Sequence, residues 1–256
     1  MNFGITNLSI IPLRNQPSHK SEQVSQLLFG ETYEVKQEQN GWLFVKCSYD
    51  GYEGWIDEIQ HCPVTEKDFL NITNNQPGLA LELVYSVTSS AISIPIVAGS
   101  SLPFFDGMNF KILKEKFIYN GQALQADAQN LTLFDRIAVR YLNVPYLWGG
   151  RSPFGIDCSG FTQIVFKFIG IKLHRDAYQQ AEQGSVVNFI EEAVPGDLAF
   201  FANAEGKIVH TGIILKDHKI IHASGKVRID KIDHFGIYNE GQKKYTHQLK
   251  IIKRIF

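Results

Sequence analysis

The sequence predicts an α+β protein in which small β-barrels precede a domain of helices followed by antiparallel strands. Three observations carry that expectation. Residues 1–60 alternate apolar and polar side chains over short runs with turn residues between them, and no stretch keeps a helical period. A second β-patterned stretch runs from about Leu81 to Leu124, beyond the Asn/Pro/Gly-rich run at 71–78, which reads as a turn or linker. From about Ala126 helical stretches come first and strands follow Pro195-Gly196, an order that segregates helices from an antiparallel sheet. The expected division is residues 1–60, 61–125 and 126–256.

In the first part, Leu27, Leu28 and Phe29 lead into Gly30, and Tyr33 and Val35 alternate with polar residues. Leu43, Val45 and Cys47 share one face. Asp50-Gly51 then turns the chain into Glu53-Gly54-Trp55-Ile56, because glycine accepts the positive φ of a tight turn. In the middle part Ile92, Ile94 and Ile96 alternate, with Gly99 and Pro103 as punctuation. This part is either a second barrel or a plain β-insertion. In the last part Thr132 and Asp135 form a capping-box variant before a helix carrying Ile137, Val139 and Tyr141. Phe161, Ile164, Val165 and Phe168 mark one face of a second helix that stops at Gly170. "DAYQQAEQG" is a short polar helix, and strands are expected at 198–201, 208–215, 219–223 and 248–255.

Composition narrows the function. Lys plus Arg number 25 against 26 Asp plus Glu, a net charge of -1, which argues against a nucleic-acid partner. With 44% apolar and 12% aromatic residues the chain reads as a folded globule. The first residues lack a basic leader, and no apolar run approaches the ~20 residues that span a bilayer, so a soluble cytoplasmic protein without a membrane partner is expected. Three cysteines cannot all pair, which leaves room for a reactive thiol.

Cys158 opens the helix of Phe161 after the turn-rich "GGRSPFGID". Free amides and the helix dipole favour an anion there, which suits a nucleophile, although an isolated cysteine is more often a small buried hydrophobe. Cys47 fits that plainer role, and Cys62 suggests no site. A base is needed, and His210 and His222 share one hairpin. With a three-residue loop at Lys216–His218, Leu215 faces Lys219 and the two histidines fall on one face as diagonal neighbours about 7–8 Å apart. A two-residue loop would put them on opposite faces. Gly212 leaves space beside them for a helix terminus or a substrate.

These motifs carry a resemblance. "VPYLWGGRSPFGIDCSGF", then "RDA", "PGDLAFF", "VHTGIIL" and "IIHAS", resemble the NlpC/p60 family of cysteine peptidases that cut bacterial cell-wall peptides. "RNQPSHKSEQVSQLLFGETYEV", "GWLFV" and "GYEGWI" resemble a bacterial SH3-like domain. The resemblance implies a papain-like catalytic domain behind one or two SH3-like barrels. It assigns Cys158 as nucleophile, His210 as base and then acid, and His222 as the residue that orients His210, with Cys158 held as a thiolate by His210. It implies no cofactor and no metal.

Its branch with SH3-like front ends acts on L-Ala-γ-D-Glu-diamino acid peptides with a free amino terminus, which are small products of peptidoglycan recycling. Glu22 and Asp176 are the implied partners of that amine, with Tyr52 beside Glu22; Tyr146, Trp148, Asp157, Ser159 and Arg175 complete the implied substrate contacts. Each also has a structural role open to it: Asp176 as a helix cap, Asp157 and Ser159 as helix-start residues, Glu22 as a solvated charge, and Tyr146 and Trp148 as core. Ala177 stands where relatives often carry serine, which removes one hydroxyl contact. The rival functions are a non-catalytic module that grips wall peptides, a zinc site from Cys158, His210 and His222, and an acyltransferase on the same core.

Overall fold

The computed structural model describes residues 2–125 and 134–256. The chain forms two compact units: Met1–Ala126 with Trp148–Pro153, and Asp127–Leu147 with Phe154–Phe256.

In the first unit β1 (Phe3–Ile5), β2 (Ile10–Arg14), β3 (Gln23–Leu28), β4 (Thr32–Gln39), β5 (Trp42–Cys47) and β6 (Glu53–Asp57) form one sheet in the order β1-β4-β5-β6-β2-β3. This is an SH3-like domain around Ile11, Leu13, Leu27, Tyr33, Val45 and Ile56. Gly51 takes the expected positive φ of 73° in the turn before β6. The run at 71–78 is only partly a linker, because helix α1 (Glu66–Thr73) reaches into it. Thr65 starts that helix by accepting the Asp68 N–H at 3.1 Å, and Phe69 and Ile72 pack on the core beneath it. An eight-residue helix with no fully buried side chain leaves too faint a period to be seen in advance.

Strands β7 (Gly78–Ala80), β8 (Val84–Thr88), β9 (Ser93–Val97), β10 (Ser101–Leu102), β11 (Asn109–Ile112), β12 (Glu115–Ile118) and β13 (Ala123–Gln125) follow as two small sheets, β10-β7-β13 and β11-β12-β8-β9. Their core is shared: Val87, Ile96, Phe110 and Phe117 cluster with Ile5 and Phe29 of the first sixty residues. Gly30 has φ 77°, and a Cβ there would lie 1.9 Å from the Ser101 carbonyl oxygen, so only glycine permits this close approach.

In the second unit α2 is described over Phe134–Arg140. The capping box expected at Thr132, and the expected boundary at 126, lie outside the described residues. β14 (Arg151–Ser152) and β15 (Gly155–Ile156) precede α3 (Cys158–Phe168), every residue of which is buried. α3 ends as expected at Gly170, φ 78°, with the Ile171 N–H reaching back to the Phe166 carbonyl at 3.0 Å. After α4 (Ala177–Gln180) and β16 (Ser185–Val187) come β17 (Leu198–Ala202), β18 (Ile208–Leu215), β19 (Lys219–Ser224), β20 (Lys226–Ile232), β21 (Gly236–Asn239) and β22 (Lys244–Arg254). β21 pairs with β22, so β17 to β22 close into a small barrel filled by Ala199, Phe201, Ile214, Ile220, Ile232, Ile237 and Ile252. The fold is α+β, with α3 lying against β18 and β19.

Candidate active site

Asp157 places Cys158. Its side chain accepts the Gly160 N–H at 2.7 Å and so caps α3, leaving Cys158 as the first helical residue. Arg175 fixes the cap in turn. Its Nη1 donates to Asp157 Oδ1 at 3.0 Å and to Ser159 Oγ at 3.0 Å, and its Nη2 donates to Asp157 Oδ2 at 2.6 Å. Arg175 is 1% exposed and Asp157 5%, so a two-pronged, charge-assisted pair is sealed beneath the nucleophile. Asp157, Ser159 and Arg175, which the resemblance links to substrate, thus also build the platform on which Cys158 stands.

The hairpin of β18 and β19 has the three-residue loop: Leu215 pairs with Lys219, Ile214 with Ile220 and Ile213 with Ile221. The two histidines therefore share a face and meet directly, His210 Nε2 lying 2.8 Å from His222 Nδ1. The space left by Gly212 is taken by the neighbouring strand β19. A Cβ there would lie 2.8 Å from the His222 Cβ, so Gly212 makes room for the His222 ring.

Three neighbours escaped the sequence reading. His222 Nε2 lies 2.9 Å from Asp230 Oδ2, and the carboxylate also accepts from Arg228 Nε at 2.6 Å and Nη2 at 2.8 Å. His247 on β22 stacks its ring on His210 with centroids 4.1 Å apart. His247 also lines an open groove of about 830 Å³ with Phe235 and Tyr245.

The electrostatics are those of a dry site. Burial pushes the Cys158 thiol up to about 12, and the Asp157 charge adds to this; backbone hydrogen bonds from Thr211 and Ser159 and the Arg175 charge pull the other way. Burial, with the charges of His222 and His247, holds His210 well below the ordinary imidazole range. Burial therefore works against the preformed thiolate–imidazolium pair expected from the sequence. Burial also lowers His222 against the opposing pull of Asp230.

Proton positions follow from the bonds. A carboxylate only accepts, so His222 donates its Nε2–H to Asp230 and presents a bare Nδ1. His210 must then donate Nε2–H to His222, which leaves its own Nδ1 free to take a proton. Donor atoms of His210, His222 and His247 lie within 4.8 Å of one another, a spacing a metal could use. The first two are already joined by their own hydrogen bond, and this group is not the rival zinc set of Cys158, His210 and His222.

Of the remaining residues, Tyr146 is held by its N–H donating to the Gly225 carbonyl at 3.0 Å. Burial, with the charges of Cys158 and Asp157, raises its phenol, which places the ring near the nucleophile. Asp176 begins α4 in a capping box, with Gln179 Oε1 accepting its N–H at 3.3 Å. In the first unit Trp148 Nε1 donates to Glu22 Oε1 at 2.6 Å and Asn15 Nδ2 to Glu22 Oε2 at 3.0 Å, so the exposed carboxylate is oriented from both sides. Tyr52 leans on the SH3-like core. Cys47 is buried in that core, as expected, and Cys62 packs at the edge of the neighbouring cluster.

Residues 143–249 match the NlpC/P60 family, and residues 13–60 match the SH3 domain of bacterial dipeptidyl-peptidases. A gamma-D-glutamyl-L-lysine dipeptidyl-peptidase of Bacillus subtilis is 32% identical over 222 residues, covering 78% of this chain and 71% of the relative. A dipeptidyl-peptidase 6 of Lysinibacillus sphaericus is 25% identical, covering 85% and 87%. The crystal structure of an NlpC/P60 family protein from Bacillus cereus superposes with a TM-score of 0.82 at 20% identity, covering 99% of both chains. Helix-capping cysteine, paired histidines and these likenesses agree, and the chain belongs to the NlpC/P60 family of cysteine peptidases.

Proposed function

We propose that this protein hydrolyses the bond between γ-D-glutamate and a diamino acid in short cell-wall peptides that carry a free N-terminal L-alanine, as part of peptidoglycan recycling in the cytoplasm. The observation that carries the chemistry is the His210–His222 hydrogen bond, which, with Asp230 accepting from His222, leaves Nδ1 of His210 bare. The substrate class rests on the printed activity of the Bacillus subtilis relative.

Cys158 attacks as its proton passes to His210 Nδ1. The sulfur–carbon bond forms, the backbone N–H of Cys158 at its helix terminus steadies the oxyanion, and His210 returns the proton to the departing amine. Water then releases the acid from the thioester. His222 and the buried carboxylate behind it steady the imidazolium that exists between these steps. The free amine is assigned to the carboxylates of Glu22 and Asp176, with Tyr52, Tyr146 and Trp148 contacting the dipeptide. No helix among the described residues is long and apolar enough to cross a membrane.

The test is a panel of L-Ala-γ-D-Glu-diamino acid tripeptides, free and N-acetylated, followed by mass spectrometry. Release of the L-Ala-γ-D-Glu dipeptide from the free peptides alone is the expected result. Equal cleavage of the acetylated set would overturn the free-amine reading, and cleavage of neither would overturn the substrate class.

A further inference from the structure

The histidine pair is anchored from a strand whose sequence gives no hint of chemistry. β20 pairs with β19 through the turn at Gly225, His222 facing Arg228 and Ile220 facing Asp230. Arg228, Asp230 and Ile232 therefore share a face, and Ile232 belongs to the barrel core. This register carries the Asp230 carboxylate to 2.9 Å from His222 Nε2 while Arg228 clamps the same carboxylate from the other side. Asp230 is 9% exposed and His222 1%, so water does not compete for the bond.

We infer that Asp230, held by Arg228, is a positioning residue that sets the protonation of both histidines, dictating through His222 that His210 presents a bare Nδ1 to the thiol. The inference rests on the peptidase chemistry proposed above and adds a fourth and fifth member to its chain. The logic is one of alternation. An acceptor at Asp230 makes His222 a donor at Nε2 and an acceptor at Nδ1, which in turn makes His210 a donor at Nε2 and an acceptor at Nδ1. Replacing the acceptor by a donor inverts every bond in the chain and leaves a proton between His210 and the sulfur.

The groups beside this chain are His247 from β22, stacked on His210, and Arg228 on Asp230, while the Thr211 backbone next to His210 bonds the Cys158 thiol of α3. Burial pushes the Asp230 carboxyl up, but hydrogen bonds from His222 and Arg228 outweigh this and keep it below its ordinary value, so it stays an acceptor at neutral pH. His247 contributes a ring face to His210, and no hydrogen bond joins it to Asp230 among those described.

The deciding variant is Asp230→Asn, whose amide keeps the shape and can donate. Expected is a fall in kcat of about 10²- to 10⁴-fold with KM within about threefold, and recovery to within about tenfold in Asp230→Glu. A purely structural residue would instead lower activity in step with thermal stability, equally in the Asn and Ala variants. A second readout needs no substrate: the iodoacetamide reaction of Cys158 across pH 5 to 9, followed by peptide mass spectrometry so that Cys47 and Cys62 are separated. The wild type should react at a nearly level rate across neutral pH because His210 assists, and Asp230→Asn should rise about tenfold per pH unit, the dependence of an unassisted thiol.

A wild type that already rises tenfold per unit would sink the peptidase reading. An assisted wild type with an unchanged Asp230→Asn profile and kcat would overturn only the role of Asp230. If Asp230→Asn does not fold, ¹⁵N spectra of wild-type imidazoles decide. Bare Nδ1 on both His210 and His222 sustains the inference, and bare Nε2 on either overturns it.

Discussion

Two buried arginine–carboxylate pairs, one in each unit, use the same chemistry for different ends. In the first unit Arg151 Nη1 and Nη2 donate to the two Glu31 oxygens at 2.9 and 3.1 Å, and Nη1 also reaches the Gln26 carbonyl at 2.6 Å. In the second unit Arg175 grips Asp157 at 3.0 and 2.6 Å. All four side chains are nearly sealed from water. The first pair ties residues 148–153 to a strand more than a hundred positions away, and none of its described bonds reaches a group assigned to the chemistry. The second holds the cap that orients Cys158. A buried ion pair is costly to form and costly to break, and what it contributes beyond stability depends on what its rigid geometry points at.

That comparison can be broken in order of effect. Cys158→Ala should abolish tripeptide hydrolysis while circular dichroism stays native; any residual turnover would remove the reason for a rigid platform under this residue. Glu31→Ala should leave Arg151 buried without its carboxylate and lower unfolding free energy by about 3–5 kcal/mol in urea titrations, with kcat of the folded protein unchanged. Arg175→Lys keeps a charge but cannot match both carboxylate oxygens. Here kcat should fall about 10²-fold, because a shift near 1 Å at a nucleophile costs about that much, while stability changes less than in Glu31→Ala. If instead the two variants shift stability and kcat alike, the distinction between the pairs is wrong.

A smaller effect is expected on binding. Glu22→Ala should raise KM for the free tripeptide by an amount equivalent to about 1.5–3 kcal/mol, with kcat little altered. An unchanged KM would assign the amine elsewhere. The smallest effect concerns pH. Burial, helped by the His222 charge, lowers His247 to about 4. Its folded value lies below the unfolded one, so the unfolded chain binds the proton first. Stability should be full above about pH 6.5 and decline as pH falls from there towards 4. His247→Gln should flatten that slope in thermal scans, and an identical slope would mean the ring does not feel the buried cluster.

Much of the active site could be read in advance because its parts are local. The apolar face of Phe161, Ile164, Val165 and Phe168 announced α3, and the three-residue loop placed His210 beside His222. Asp230 and Arg228 stayed hidden for a physical reason: they sit on the inward face of β20 alongside Ile232, where a charged side chain argues against a buried strand unless its partners are known. His247 was hidden because its partner His210 lies on a strand distant in sequence. The first small β-barrel could be read from turns and alternation, and its SH3-like character from the resemblance of its short motifs. The shared core that joins Ile5 and Phe29 to Val87 and Phe110 could not, since no local pattern records which two sheets will face each other.

The family match spans residues 143–249, yet Trp148–Pro153 within it belongs to the compact unit of the SH3-like domain. The catalytic half is therefore not a cassette. A gene fusion or truncation that began at residue 127 would carry Arg151 away from Glu31 and Gln26 and strand a guanidinium built for burial. A front end exchanged at that point would leave Arg151 buried without a partner unless it brought a carboxylate of its own.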